Sequence, residues 1–120
     1  MTRVVRRPAL ALLAPALFLA SPALAQGACR PIPGGPQGDA CAAELALTEI
    51  RQRQMTERLA AVRNAPRSEQ CRVFHDHVRM MADAACVFHR CTTGHHRGEN
   101  VAQMQGSIAD WREIIARNCR

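Results

Sequence analysis

Three long stretches of the chain carry hydrophobic residues at the three- and four-residue spacing of an amphipathic helix. The most regular series is the last one, formed by Val101, Met104, Ile108, Trp111 and Ile115. A second series has the same spacing and contains Phe74, Val78, Met81, Ala85 and Phe88. The first series is less regular and contains Leu45, Met55, Leu59 and Val62. Thr48 and Gln52 fall on the same line, so the first helix is predicted to carry polar residues within its apolar face.

Helix breakers separate these stretches. Residues 39–64 contain no Gly or Pro, and the Ala65-Pro66 pair ends them. Residues 67–91 are likewise uninterrupted, and Thr92-Thr93-Gly94 marks a second break. The third helix is expected from about Arg97 to Asn118. Asp39 and Ser68 are candidate N-caps, because their side-chain oxygens can accept a hydrogen bond from a free backbone N–H of the first turn.

This pattern predicts an all-α domain over residues 39–120. Strand propensity is low, since the chain has no tyrosine and few β-branched runs. Short turns between long helices favour an antiparallel, up-down-up bundle of three helices. Before it, residues 26–38 hold three prolines and four glycines, which predicts an extended arm.

Residues 1–25 have the pattern of a secretory signal peptide. Arginines at positions 3, 6 and 7 precede an apolar stretch over 9–20, and Ala23-Leu24-Ala25 supplies the small residues of a cleavage site. Prolines interrupt the apolar run, which favours a cleaved signal over a retained membrane helix. We therefore expect a periplasmic or secreted protein with no transmembrane span after processing.

Charge argues against a nucleic-acid partner. Three of the 16 arginines and none of the 10 acidic residues lie in the signal, so the processed chain has a net charge of +3. Acidic and basic residues are interleaved, and the processed chain has only three aromatic residues, Phe74, Phe88 and Trp111. A nucleic-acid-binding domain typically concentrates basic residues on one face.

All six cysteines follow the predicted cleavage site, which indicates disulfides in an exported domain. In an antiparallel helical hairpin, residues equally far from the turn lie side by side. This register pairs Cys41 with Cys91 across the first turn. It pairs Cys71 with Cys119 across a second turn centred near residue 95. Cys29 and Cys86 remain and pair by elimination, which would fold the arm back along the bundle.

Two other uses of the cysteines fit less well. A zinc or haem site built on free thiolates would show a C-x-x-C pair, and the chain has none. A catalytic thiol would need a cysteine left over after three bridges form.

The arrangement of Cys41, the Ala65-Pro66 break, Cys71, Cys91 and Cys119 resembles a group of small secreted, four-cysteine helical proteins of Gram-negative bacteria. The resemblance covers residues 41–119. It implies export and a disulfide framework, and no activity, because that group is functionally uncharacterised. The chain departs from the group in its Thr-Thr-Gly-His-His segment after Cys91, where the group has a Gly-Ile-Pro-Pro-like turn. Cys29 and Cys86 are an additional pair.

A shorter likeness lies in the first helix. The segment Leu47-Thr48-Glu49-Ile50-Arg51 is similar to the L-T-x-x-Q element of Spy-type periplasmic chaperones, with Arg in place of Gln. This chain has one copy of the element, and cysteines are foreign to that family.

Histidine and methionine supply the candidate metal ligands. His77, Met80 and Met81 lie at positions i, i+3 and i+4 of a helix, and imidazole with thioether suits Cu(I) or Ag(I). His89, His95 and His96 cluster around the second turn and could take Zn(II) or Cu(II). Each set also has a simpler interpretation, as core packing for the methionines and as a solvated polar turn for the histidines.

No catalytic motif is present. The chain lacks G-x-S-x-G, H-E-x-x-H and a phosphate-binding glycine loop, and the carboxylates of the first helix alternate with arginines, as on a solvated face. We therefore expect a non-enzymatic protein that binds a partner protein or the cell envelope. The alternatives are a periplasmic protein that binds Cu, Ag or Zn and a Spy-like helical chaperone.

Overall fold

The computed structural model describes residues 29–120, which form three helices and no strand. Helix α1 spans Asp39–Ala61, α2 spans Arg67–Cys91 and α3 spans Gly94–Asn118. This confirms the predicted all-α, disulfide-stapled bundle. Residues 29–38 precede α1 without regular secondary structure. The predicted signal peptide, residues 1–25, lies outside the described residues. None of the three helices is long and apolar enough to cross a membrane.

The starts of α1 and α2 differ from the prediction. Gly38 and Pro66 are the N-caps, and neither helix has a side-chain cap hydrogen bond. The predictions of Asp39 and Ser68 as N-caps were therefore wrong. Pro66 takes that position because the N–H groups of residues 69 and 70 both donate to its carbonyl. Asp39 is instead the first residue of α1, where its negative charge is favourable near the helix N-terminus.

Both turns also differ in length from the prediction. Helix α1 ends at Ala61, three residues before the expected end, because residues 62–66 tighten into a turn. Helix α3 begins at Gly94 rather than Arg97, so the second turn is only Thr92-Thr93. Gly94 has a φ of +59°, a left-handed conformation that side chains disfavour. The Arg97 guanidinium closes this turn by donating to the Thr92 carbonyl at 2.9 Å.

Helix α2 is the central helix and packs against both α1 and α3. Its interface with α1 contains two clusters of buried residues. Cys41, Val87 and Cys91 form one, and Ile32 and Leu45 pack against it. Met55, Val62 and Val73 form the other, and Leu59, Ala65 and Met80 pack against it. Between them lies Thr48, a polar side chain that is buried as its position on the apolar line of α1 predicts.

The interface of α2 with α3 contains a pair of aromatic side chains. The rings of Phe74 and Trp111 have centroids 5.1 Å apart. Of the predicted series on α2, Met81 is fully buried and the others are half-buried. A second series, which the sequence analysis did not single out, faces α1 and includes the buried residues Val73, Ala84 and Val87.

Three disulfides staple the bundle, and they join the pairs that the helix register predicts. Cys41–Cys91 links the start of α1 to the end of α2, with Cα atoms 5.1 Å apart. Cys71–Cys119 links the start of α2 to the residue after α3, with Cα atoms 5.7 Å apart. Cys29–Cys86 fixes the arm to the C-terminal part of α2, and no cysteine of the described residues is free.

Candidate functional site

The three residues proposed as soft-metal ligands meet different neighbours. His77 packs its ring edge-on against Trp111, with centroids 4.7 Å apart. Met81 is buried, with 3% of its surface exposed. Met80 packs instead against the cluster of Met55, Val62 and Val73 at the α1 interface. The Cu(I) or Ag(I) site stays a prediction, and titration of the purified protein with either ion tests it.

The three histidines around the second turn, His89, His95 and His96, lie on two different helices. His95 and His96 both lie on the first turn of α3 and share Glu99, at 2.9 Å and 3.9 Å from its two carboxylate oxygens. His89 lies near the end of α2, the helix before. The Zn(II) or Cu(II) site at these histidines stays a prediction. Within residues 29–120, no group of three or more His, Cys, Asp and Glu side chains is arranged to hold a metal ion.

His77 is a half-buried titratable group next to Trp111. Its Nδ1 atom is buried and has no hydrogen-bond partner among the described residues. Burial lowers the pKa of His77 below its usual 6.5, because the charged imidazolium would lose its hydration. At neutral pH the ring is therefore an uncharged part of the α2–α3 interface.

We expect the bundle to lose stability as the pH falls below about 6.5, because the unfolded chain then takes up a proton at His77 that the folded chain resists. The stabilisation is complete above the pKa that His77 has in the unfolded chain. It is lost as the pH falls from that value to the lower pKa of His77 in the folded chain. Urea unfolding of wild type and H77F at a series of pH values checks this. H77F should lose part of the dependence, and the neighbouring exposed-site variant H75F should keep it.

A concave surface runs between α1 and α2 on the side away from Gln52, the α1 residue whose amide lies 3.8 Å from Met104 of α3. It consists of two adjoining hollows of about 330 and 660 Å³. Arg51 of α1 and Asp83 of α2 line both hollows, so the two are one continuous feature. We refer to this feature as the α1–α2 groove.

Buried side chains form the floor of the groove and charged side chains form its walls. The most buried lining residues are Cys29, Thr48, Met55, Ala84 and Val87. The walls carry five arginines, Arg30, Arg51, Arg58, Arg79 and Arg90. They carry three carboxylates, Glu44, Asp76 and Asp83. The groove therefore has a net positive charge over an apolar floor.

Asp76 organises the arginines at one end of the groove. Its carboxylate accepts a hydrogen bond from Arg58 of α1 at 2.8 Å and another from Arg79 of α2. The bond from Arg58 is the main reason that the pKa of Asp76 is lowered, although partial burial opposes the shift. Asp76 thus stays ionised and holds two guanidinium groups of opposite walls in place.

The arm forms the other end of the groove. Cys29–Cys86 anchors it to α2, and Ile32 packs onto the cluster of Cys41, Val87 and Cys91. The Arg90 guanidinium donates to the Cys29 carbonyl, while its Nε is buried without a hydrogen-bond partner among the described residues. The arm residues Arg30 to Pro33 therefore complete the wall of the larger hollow.

The groove was not predicted from the sequence, in which the alternating charges of α1 indicated a solvated face. A signal was present in the spacing. Arg51 and Arg58 lie seven residues apart on α1, and Asp76, Arg79, Asp83 and Arg90 follow steps of three, four and seven on α2. Each set marks one face of its helix. That the two faces meet depends on how the helices are rotated, which spacing alone does not give.

Comparison with known proteins identifies no relative. No protein-family model, curated protein or solved structure matches the chain. The functional argument therefore depends on the groove and on the chemistry of its side chains.

Proposed function

We propose that this protein is an exported, non-enzymatic binding module whose α1–α2 groove holds an acidic segment of a partner protein. The observation that carries the proposal is the continuous groove, with five arginines above an apolar floor. Three disulfides with no free cysteine among the described residues are compatible with a periplasmic or extracellular location.

The dimensions of the groove fit a peptide segment. Its α1 wall extends from Ala40 to Arg58, which corresponds to about 27 Å along a helix. A segment of about 18 helical residues would cover that length. A long groove with an apolar floor is how proteins commonly recognise an amphipathic helix, whose apolar face enters the groove.

The charges of the groove indicate the sign of the partner. Asp76 is already bound by Arg58 and Arg79, so its charge is balanced within the protein. Arg30 and Arg51 take part in none of the ion pairs among the described residues, which leaves them available to a carboxylate. Guanidinium groups bind carboxylates in a bidentate geometry, so they suit Asp and Glu side chains along one flank of a helix.

The concave shape favours a protein segment over the envelope surface. A membrane presents a broad, nearly flat anionic layer, which is met best by a convex or planar basic face. In the groove, the buried floor residues Met55 and Ala84 lie between the charged walls, so a flat surface would contact the walls and not the floor. A binding module of this kind needs no catalytic group.

Fluorescence anisotropy with two matched peptides tests the proposal. One is an amphipathic helical peptide with Glu on its polar face, and the other has Lys at the same positions. We expect the disulfide-bonded protein to bind the acidic peptide and not the basic one. R30E and R79E, at the two ends of the groove, should each weaken binding by about tenfold, the effect of about 1.4 kcal/mol.

R112E is the matched control, because Arg112 is an exposed arginine on α3, outside the groove. It should bind the acidic peptide as wild type does. Equal binding of both peptides, or unchanged binding by R30E and R79E, would contradict the proposal. Equal affinity for unfolded proteins of any charge would support the chaperone instead, and binding only to anionic lipid vesicles would support the envelope.

A further inference from the structure

A second surface, on the solvent-facing side of α1 next to the groove, carries exposed hydrophobic residues, and one of them, Ala43, also lines the larger hollow. Ala43, Leu47, Ile50 and Gln54 follow steps of four, three and four along α1, and all four are exposed. Leu47 and Ile50 have 37% and 45% of their surface exposed, more than any other large hydrophobic residue among residues 29–120. We call these four residues the outer stripe.

The two flanks of the outer stripe differ in charge. Glu44 and Arg51 lie seven residues apart on the flank next to the groove, and neither takes part in the ion pairs of the described part of the chain. The opposite flank consists of Ala46 and Arg53, and Arg53 is already paired with Glu49 at 3.4 Å. An unpaired acid and an unpaired base on the same flank make the stripe complementary to itself.

A two-fold symmetric pair of α1 helices would bring these complementary charges together. In an antiparallel pair of helices, each flank meets the same flank of the other helix, so one ion pair is formed twice. With Leu47 opposite the partner's Ile50, Ala43 lies opposite the partner's Gln54. Glu44 then reaches the partner's Arg51, because the two are offset by about 3 Å along the helix axis.

We propose that the outer stripe is a dimer interface, in which α1 packs antiparallel against α1 of a second copy of this chain. Two reciprocal pairs between Glu44 and the partner's Arg51 flank an apolar centre of Leu47 and Ile50. The arrangement is isologous and closes after two copies, so it forms no filament.

The charges also exclude the parallel arrangement. Parallel helices bring each flank against the opposite flank of the partner. Arg51 would then meet the partner's Ala46, and Arg53 would meet the partner's Arg58. The first contact gains no ion pair and the second opposes like charges, so the antiparallel dimer is favoured.

Sedimentation equilibrium of the disulfide-bonded protein, from about 1 μM to about 1 mM, tests the proposal in the range expected for a small interface. We expect a reversible monomer–dimer equilibrium. E44R and R51E should each raise the dissociation constant by about tenfold, because each change replaces two attractive pairs by two repulsive ones. The double variant E44R/R51E should return it close to the wild-type value.

L47D should leave the protein monomeric at all these concentrations, and its circular dichroism should match that of wild type because Leu47 is exposed. The swap E113R/R117E, at an ion pair on α3, is the control and should leave dimerisation unchanged. A monomer at every concentration, or a dimer that neither charge swap weakens, would overturn the proposal. Glu44 and Arg51 line the groove as well, whereas Arg30 and Arg79 lie off the outer stripe. R30E and R79E should therefore still form the dimer even where they weaken peptide binding.

Discussion

Replacing both Cys41 and Cys91 by alanine is expected to lower the free energy of unfolding by about 4 kcal/mol or more. The disulfide closes a loop with a sequence separation of 50 residues, and removing it frees the unfolded chain to sample more conformations. Both cysteines are also buried beside Val87, so alanine leaves space in the core at the start of α1. Against a total stability of about 5–15 kcal/mol, this loss is large.

Urea unfolding monitored by circular dichroism measures the effect, and the double variant of Cys71 and Cys119 is its control. That disulfide has nearly the same sequence separation, 48, but its cysteines are only half-buried. The chain-entropy contribution is therefore similar, and C41A/C91A should lose more by the packing contribution alone. Equal losses would show that the cluster around Cys41 adds nothing beyond chain constraint.

Replacing Trp111 by alanine is expected to cost about 3 kcal/mol, near the lower end of the range for a large aromatic residue, because Trp111 is half-buried. Its ring contacts Phe74 and His77, so the change opens the interface between α2 and α3. Thermal and urea unfolding measure the loss. W111F keeps an aromatic ring beside Phe74 and should lose less than half as much.

W111A also tests why the pKa of His77 is lowered. Without Trp111 the imidazole gains access to water, so its pKa should rise towards the usual 6.5. An NMR titration of the histidine ring protons measures this. If His77 titrates in W111A as in wild type, burial against Trp111 is not what disfavours its charged form.

The helix order was predicted from the positions of the helix breakers. Two of the disulfide pairs were predicted from the number of residues between each cysteine and the turn, and the third pair by elimination. The Ala65-Pro66 pair and Thr92-Thr93-Gly94 end the helices through the local backbone. In a helical hairpin, residues equally far from the turn then lie side by side, so the number of residues from the turn sets the register. An error of three residues in the start of α3 left the pairing of Cys71 with Cys119 unchanged. Cysteines at helix ends tolerate such an error, because bridge geometry allows a range of Cα separations.

The helix starts were predicted less accurately, for a physical reason. Asp39 and Ser68 have the side chains that commonly cap helices, yet Gly38 and Pro66 occupy the N-cap positions. A capping preference is about 1 kcal/mol, so the backbone conformation before the helix readily overrides it. Helix limits predicted from side-chain preference alone therefore shift by one to three residues in this chain.

The sequence by itself determined the helices, their order, the breaks between them and the partner of each cysteine. The tertiary structure decided that α2 lies in the centre with two packed faces, which places Met80 against α1 and His77 against α3 and brings Arg58 to Asp76. Periodicity defines a face on each helix but not the rotation of that helix against its neighbours. That rotation is set by packing across the whole bundle, and it is what forms the α1–α2 groove.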